Sequence, residues 1–339
     1  MLSYRNLTKY RNVWMALAAL WILYYHVSLP TFGCALLHTA KNYGYGGVDI
    51  FVFASGLGCY HSLTKRYDPP AFFKKRVLRI LPSYYAVLIP WVIFQALRVG
   101  VSAQAVVANF LCVDFLARST FQTMWYMNAV WVYYLAALFL VPACRDASRI
   151  KKAFLLLFCF AFAVPFLMET RLVLFARLPI FLLGILFAEY GSTHEGISPR
   201  AAVAAVIASM AGWVLLSKAN ALVGNADLMW GTGLFWWPFI LITPGLCLVL
   251  SLICTLVERF APQVNRALAK LGGCTLELYA IHALLLQFAN AAIADGYIQG
   301  SNLFWAALAL VSIVLAVLLA KATACLSVYL QRRNACTTH

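Results

Sequence analysis

Long runs of hydrophobic residues, separated by short polar segments, recur from one end of the chain to the other. Such runs, about 18 to 25 residues long, are sufficient for a helix to cross a hydrocarbon core of roughly 30 Å. The alternating polar and apolar pattern of membrane β-barrel strands is absent. Because a backbone in lipid must satisfy its own hydrogen bonds, we predict an all-α polytopic protein with about ten transmembrane helices. The predicted spans lie near residues 12–30, 45–63, 77–97, 123–142, 153–168, 177–190, 200–217, 233–257, 274–294 and 303–329.

The composition supports this class of protein. Hydrophobic residues make up 64% of the 339 residues and charged residues 11%, whereas an ordinary soluble domain is about 25% charged. A water-soluble enzyme is therefore nearly excluded. No internal repeat and no Ser/Gly-rich or Pro-rich linker divides the chain, so one membrane domain over residues 1–339 is expected.

Basic residues are unevenly distributed among the segments that join the predicted spans. With the N-terminus in the cytoplasm, 19 of the 26 Lys and Arg residues fall on the cytoplasmic side. Six fall on the outer side: Lys41, Arg98, Arg118, Arg171, Arg177 and Lys218. Because positive charge marks cytoplasmic loops, we predict a multi-pass protein of the cytoplasmic membrane with both termini inside. The positive charge thus indicates orientation and contact with membrane lipid, and we expect no nucleic-acid partner.

Two ionisable residues lie near the outer ends of the first two spans, His26 in WILYYHVSLP and Asp49 in GYGGVDIFVFASG. Each is about four residues, or roughly 6 Å, inside its predicted helix end. A carboxylate beside an imidazole fixes the tautomer and stabilises the imidazolium, as in a general-base pair. In the alternative interpretation both residues are structural. His26 would donate a hydrogen bond to a neighbouring carbonyl, and Asp49 would cap a helix N-terminus or interact with the helix dipole. The residues alone leave both interpretations open.

The segment between the second and third spans is basic and reads LTKRYDPPAFFKKRVLRILPSYY. Arg76 and Arg79 are three residues apart and share one face of a helix, and Lys75 adds a further charge. Guanidinium groups bind phosphate bidentately, so an anionic nucleotide entering from the cytoplasm would find a binding surface here. The alternative is that these basic residues flank a span because positive charge marks cytoplasmic loops, or because they contact anionic lipid.

Small and aromatic residues provide further candidates. Ser55 and Gly56, within FASGLG, permit close approach of a ligand or, more commonly, of another helix. Trp125 and Tyr126 are typical of a sugar-stacking site or of an aromatic belt at the membrane interface.

The ninth predicted span contains two more polar residues, Glu277 and His282, within TLELYAIHALLL. Five residues apart, they lie on different helix faces, so they are candidates for a polar cavity and not for a shared metal site. Zinc-ligand spacing, a Walker loop and a GxSxG motif are all absent, and we expect no metal.

At these positions the sequence resembles the acyltransferase-3 family of bacterial multi-span membrane proteins. Four stretches match in order: LWILYYH, GYGGVDIFVFASGLG, FFKKRVLRILPSYY and LGGCTLELYAIHALL. The family commonly has an arginine eleven residues before the histidine, where this chain has Met15. Arg11, one helical turn earlier, is the candidate substitute.

The resemblance implies an O-acetyltransferase-like enzyme. It would move an acyl group from cytoplasmic acyl-CoA to a hydroxyl of an extracytoplasmic or lipid-linked carbohydrate, as in modification of a cell-envelope polysaccharide. Acetyl is the expected group and succinyl the alternative. His26 would act as the general base with Asp49. The implied donor-binding residues are Arg76, Arg79, Lys75, Ser55 and Gly56, and the candidate substrate-binding residues are Trp125, Tyr126, Glu277 and His282.

The sequence is also compatible with two other functional classes. A transporter or exporter of an anionic or glycan-type solute would suit the same basic loop and the same buried polar residues. A non-catalytic membrane scaffold would tolerate the loss of His26.

Overall fold

The computed structural model describes residues 4–117, 124–194 and 198–336, with side chains as far as residue 326. Arg118, which the charge count places on the outer side, lies outside these residues. Over the described part of the chain the regular elements are all helical, which confirms the predicted all-α class. The α-helices are α1 (Tyr4–Lys9), α2 (Arg11–His26), α3 (Ala35–Asn42), α4 (Gly47–Lys65), α5 (Pro69–Arg98), α6 (Ala103–Phe110), α7 (Trp125–Arg145), α8 (Arg149–Ala161), α9 (Leu172–Phe175), α10 (Leu178–Thr193), α11 (Pro199–Val223), α12 (Ala226–Gly231), α13 (Phe239–Phe260), α14 (Pro262–Gly272), α15 (Thr275–Ala294) and α16 (Asn302–Cys336).

Seven helical segments of the described chain are long and apolar enough to cross a membrane. They are Pro69–Arg98, Trp125–Arg145, Leu172–Thr193, Pro199–Val223, Phe239–Phe260, Thr275–Ala294 and Asn302–Leu326. Each coincides with a span predicted from hydropathy. The protein is therefore a multi-pass membrane protein.

The other three predicted spans correspond to α2, α4 and α8, and the count of ten is not confirmed. Helix α2 has 16 residues and α8 has 13, about 24 and 20 Å, less than the thickness of a hydrocarbon core. Helix α4 has 19 residues, but Asp49, His61 and several glycines and serines lower its hydropathy. Most of α4 is buried against protein, so it needs little apolar surface for lipid.

The helices form two compact units. Unit 1 is drawn from Met1–Ala18, Gly46–Pro69 and Asn128–Ala269. Unit 2 is drawn from Ala19–Tyr45, Pro70–Met127 and Lys270–His339. In unit 1, α4 packs on α10 and α11 packs on α13, and in unit 2, α15 packs on α16. The expectation of one membrane domain stays a prediction.

Helices α4 and α10 approach closely because glycines face each other. A side chain at Gly56 would collide with the Phe181 carbonyl oxygen and with the Cα of Gly184. A side chain at Gly184 would collide in the same way with the Phe53 carbonyl oxygen. The contact supports the helix-packing interpretation of Gly56, while a role in donor binding stays a prediction.

Replacing Gly56 by alanine should destabilise the protein by about 1–3 kcal/mol, because the two helices must separate to admit a methyl group. Gly58→Ala is the matched control, since its Cβ would meet only the flexible Arg11 guanidinium, at 3.4 Å. Thermal unfolding of the purified protein in detergent should show a lower midpoint for Gly56→Ala alone. Equal midpoints for the two variants would contradict the packing argument.

Candidate functional site

His26 is the last residue of α2 and belongs to unit 2. Its ring lies beside that of His282 on α15, with centroids 5.2 Å apart and planes inclined by 46°. Tyr25 meets His26 edge-on at 4.9 Å, and Tyr279 meets His282 edge-on at 5.7 Å. The fold thus brings together two candidate residues that are 256 positions apart in the chain. We call His26, His282 and Tyr279 the histidine cluster.

Backbone carbonyls fix the tautomers of both imidazoles. Nδ1 of His26 lies 2.9 Å from the Ile22 carbonyl oxygen, and Nδ1 of His282 lies 2.9 Å from the Leu278 carbonyl oxygen. A carbonyl oxygen can only accept, so Nδ1 donates in each ring, and in the neutral ring the lone pair is on Nε2. His26 is exposed, whereas His282 is buried. His26 is therefore the more accessible proton acceptor of the two.

The structure changes the predicted depth of His26. Helix α2 ends at His26 and not near Pro30, so the imidazole lies at the helix end and not roughly 6 Å inside it. On α15, seven residues separate Thr275 from His282 and twelve separate His282 from Ala294, distances of about 10.5 and 18 Å. The histidine cluster therefore lies in the half of α15 that contains its N-terminus.

An aromatic chain continues from the histidine cluster to α7. The Tyr126 and Tyr279 rings meet edge-on with centroids 5.3 Å apart, and the Tyr126 backbone N–H donates to the Tyr279 hydroxyl. Trp125 meets Tyr126 edge-on at 6.0 Å. Tyr126 is buried, while Trp125 is half-buried. Sugar stacking by these two residues stays a prediction.

Glu277 is fully buried in the first turn of α15, where Arg79 of α5 neutralises it. Nη1 of Arg79 donates to Oε1 of Glu277, and Nη2 donates to Oε2 at 3.0 Å. Ser83 Oγ donates to Oε1 at 2.7 Å. A bidentate pair of this kind fixes the plane of the guanidinium group. Arg79 thus holds α5 against α15, and its predicted role toward phosphate stays a prediction.

The other two basic residues predicted to bind the donor, Lys75 and Arg76, lie closer to the start of α5. The Arg76 guanidinium carbon lies 3.3 Å from the centroid of the Phe72 ring, and Nη1 donates to the Phe72 carbonyl oxygen at 3.1 Å. Lys74 and Lys75 are exposed. Lys75 and Arg76 precede Arg79 by four and three residues, or about 6 and 4.5 Å of helix rise.

Asp49 belongs to unit 1, in the first turn of α4, and is fully buried. Its partner is Arg177, the residue that precedes α10, whose Nε donates to Oδ1 of Asp49 at 2.9 Å. Nη1 of Arg177 donates to the Val173 carbonyl oxygen at 3.0 Å, and the guanidinium carbon lies 5.2 Å from the centroid of the Trp236 ring. Among the described residues, Oδ2 of Asp49 has no hydrogen-bond partner.

A family model described as an acyltransferase domain, that of the acyltransferase-3 family, matches residues 12–321, nearly the whole chain. The chain belongs to the acyltransferase-3 family. No curated protein and no solved structure matches it. Family membership indicates a membrane acyltransferase, while the donor, the acceptor and the catalytic residues are not given by the match.

Arg11 is the candidate substitute for the family's arginine at Met15. Its Nη2 donates to the Ala54 carbonyl oxygen at 3.1 Å, and the guanidinium lies against Gly58. Arg11 thus bridges α2 and α4 within unit 1. Ser55, the neighbour of Ala54, is half-buried. A role of Arg11 or Ser55 in acyl transfer stays a prediction.

Arg177 is the functional candidate that the sequence did not reveal. The charge count places it on the outer side of the membrane, but it is only 1% exposed and forms the ion pair with Asp49. One sequence feature could have identified Arg177. It is a lone arginine at the start of the apolar run RLPIFLLGILFAEY, which resembles a later span of the acyltransferase-3 family. The pairing of His26 with Asp49 concerns residues of two different units and stays a prediction.

Asp49→Ala should lower the free energy of unfolding by about 3–5 kcal/mol, because it leaves Arg177 buried without its counter-ion. Asp49→Leu combined with Arg177→Met should recover most of that loss, since no buried charge remains. Thermal unfolding in detergent measures both effects.

The matched control for this pair is Arg171→Met, which breaks a partly exposed ion pair with Glu169. Its effect should be within about 1 kcal/mol. A combined Asp49 and Arg177 variant that is less stable than either single variant would contradict the ion-pair argument.

Proposed function

We propose that this acyltransferase-3 protein moves an acyl group, acetyl in the simplest case, from cytoplasmic acyl-CoA to a carbohydrate hydroxyl. The acceptor is an extracytoplasmic or lipid-linked carbohydrate, and the protein lies in the cytoplasmic membrane with both termini inside. The observation that carries the proposal is the state of His26. Its Nδ1 is held by the Ile22 carbonyl, its Nε2 carries the lone pair of the neutral ring, and it lies in the exposed part of the histidine cluster.

In the proposed reaction, Nε2 of His26 takes the proton of the acceptor hydroxyl while the oxygen attacks the thioester carbonyl. The carbon–sulfur bond then breaks, and the coenzyme A thiolate leaves. The imidazolium returns its proton to that thiolate, so His26 ends the cycle neutral. A transient acyl group on His26 is the second route by which the same residue would serve.

The donor's phosphates are proposed to bind Lys75, Arg76 and Arg79, all of which lie in unit 2 with His26. Along α15, His282 lies five residues beyond Glu277, the partner of Arg79, or about 7.5 Å. Lys75 lies about 6 Å before Arg79 on α5. Arg98 at the end of α5 pairs with Asp295 just after α15, so the two helices run parallel. In helix rise, His282 therefore lies about 7.5 Å from Arg79 and about 13.5 Å from Lys75, a span suited to a flexible thioester arm.

Replacing His26 by alanine or glutamine should reduce acyl transfer by about 10²- to 10⁴-fold, because the general base is lost. The measurement uses protein in liposomes with labelled acetyl-CoA, counting label released to water and label transferred to envelope carbohydrate from the expression host. His38→Ala, at an exposed histidine of α3, is the control and should keep full activity. Ordinary transfer by His26→Ala would refute the proposal, and solute flux without donor would favour an exporter.

Coenzyme A binding tests the phosphate site separately. Lys75→Ala and Arg76→Ala should each weaken binding by roughly tenfold, the equivalent of one lost hydrogen bond to a charged group. Arg79→Lys is preferred to Arg79→Ala because it retains a cation beside buried Glu277. Isothermal titration calorimetry with coenzyme A measures the dissociation constant of each variant.

The control for donor binding is Arg66→Ala, in the segment just before α5. Arg66 is exposed and paired with Asp68, so its loss should leave coenzyme A binding unchanged. Unchanged binding in the Lys75 and Arg76 variants, shown to be folded, would remove these residues from the donor site.

A further inference from the structure

Unit 1 contains a cavity of about 710 Å³ lined by α8, α10, α11 and α13. One wall is formed by Ala201, Ala204, Ala205 and Ala208, which share one face of α11. Leucine and phenylalanine side chains of α8 and α10 form another wall. The body of the cavity is therefore apolar, and its volume is within the range of small-molecule binding sites.

One end of the cavity is polar and carries positive charge. Lys152, in the first turn of α8, donates to Oε2 of Glu189 near the end of α10 at 2.6 Å, so these two charges neutralise each other. Arg149 also lines the cavity and is exposed, which leaves one net positive charge among the described lining residues. Exposed Lys151 and Arg200 adjoin the lining residues Lys152 and Ala201 and add to the positive charge at this end.

The outer surfaces of the flanking helices are typical of a lipid-facing protein. Phe154 and Phe158 on α8 are 67% and 62% exposed, and Val203 and Ile207 on α11 are 52% and 61% exposed. Both helices also contribute to the cavity, which is thus flanked by side chains suited to contact with acyl chains.

We infer that this cavity binds an anionic phospholipid of the phosphatidylglycerol type, with its phosphate at Arg149 and an acyl chain along the alanine face of α11. The apolar walls accommodate a hydrocarbon chain, and the cationic end selects a negative headgroup. A nucleotide would be a poor occupant of the body, because its base and ribose would lose their hydrogen bonds to water there. The alanine face extends over eight residues of α11, from Ala201 to Ala208, a helix rise of about 10.5 Å.

Lipid titration of the delipidated full-length protein, followed by native mass spectrometry, tests this inference. Phosphatidylglycerol should bind about fivefold more tightly than phosphatidylcholine, since one basic residue near a lipid phosphate is worth about 1 kcal/mol. Arg149→Glu should abolish that preference. Lys218→Glu, an exposed position near the other end of α11, should retain it.

A second pair of variants tests the body of the cavity. Ala204→Trp fills the space and should reduce retention of phosphatidylglycerol at least tenfold, whereas Val203→Trp projects outward and should leave it unchanged. Equal retention by Ala204→Trp and the wild type would overturn the inference. Because Arg149 is exposed, Arg149→Glu should fold even if Ala204→Trp does not, and a retained lipid preference in Arg149→Glu would also overturn it.

The same titration also distinguishes a lipid-binding cavity from one that binds the acyl donor. If palmitoyl-CoA displaces phosphatidylglycerol at equal concentration, the cavity belongs to the donor and the lipid assignment is wrong. Acyl transfer is not measured in this experiment, so failure of the proposed enzymatic function and failure of the lipid site are distinguishable.

Discussion

A carboxylate inside a membrane protein needs a cation from the protein itself, because neither the lipid nor an apolar interior solvates its charge. Among the described residues, at least three buried carboxylates form such a pair, and each pair links two distant parts of the chain: Asp49 with Arg177, Glu277 with Arg79, and Glu189 with Lys152. The partners are 128, 198 and 37 residues apart. Within each unit, each pair links segments that are far apart in the sequence, and apolar residues pack around it.

This constraint changes how the candidate site residues should be judged. Asp49 and Arg79 are attractive for catalysis and for phosphate binding, yet each already has a structural partner whose charge would be left buried. Loss of activity in a variant at either position would therefore mix chemistry with folding. His26 differs, because its described hydrogen bond goes to its own helix and its side chain is exposed. Substitution of His26 thus gives the cleaner test of chemistry.

Local features of the fold could be predicted from the sequence, and long-range partners could not. Hydropathy depends on neighbouring residues, so it located the seven helices that are long and apolar enough to cross a membrane. It extended the first span to Pro30 because Val27 and Leu29 are apolar, although the helix ends at His26. The charge count placed Arg177 on the outer side, because no local signal shows that Asp49 is the distant carboxylate that it neutralises. The sequence singled out His26 and His282 separately, but no spacing rule joins them.

The end of α2 bears on the path that each proposed substrate would take. The contact with His282 lies about 10.5 Å from the start of α15 and about 18 Å from its end. Under the orientation predicted from the charge count, the start of α15 would face the cytoplasm, and the histidine cluster would lie in the cytoplasmic half of the membrane. The proposed donor thioester would then have the shorter path, and the proposed carbohydrate hydroxyl would have the longer one. Because α2 stops at His26, no further turn of that helix covers the imidazole on the side away from the start of α2. Under the predicted orientation this is the outer side, from which the proposed acceptor would arrive.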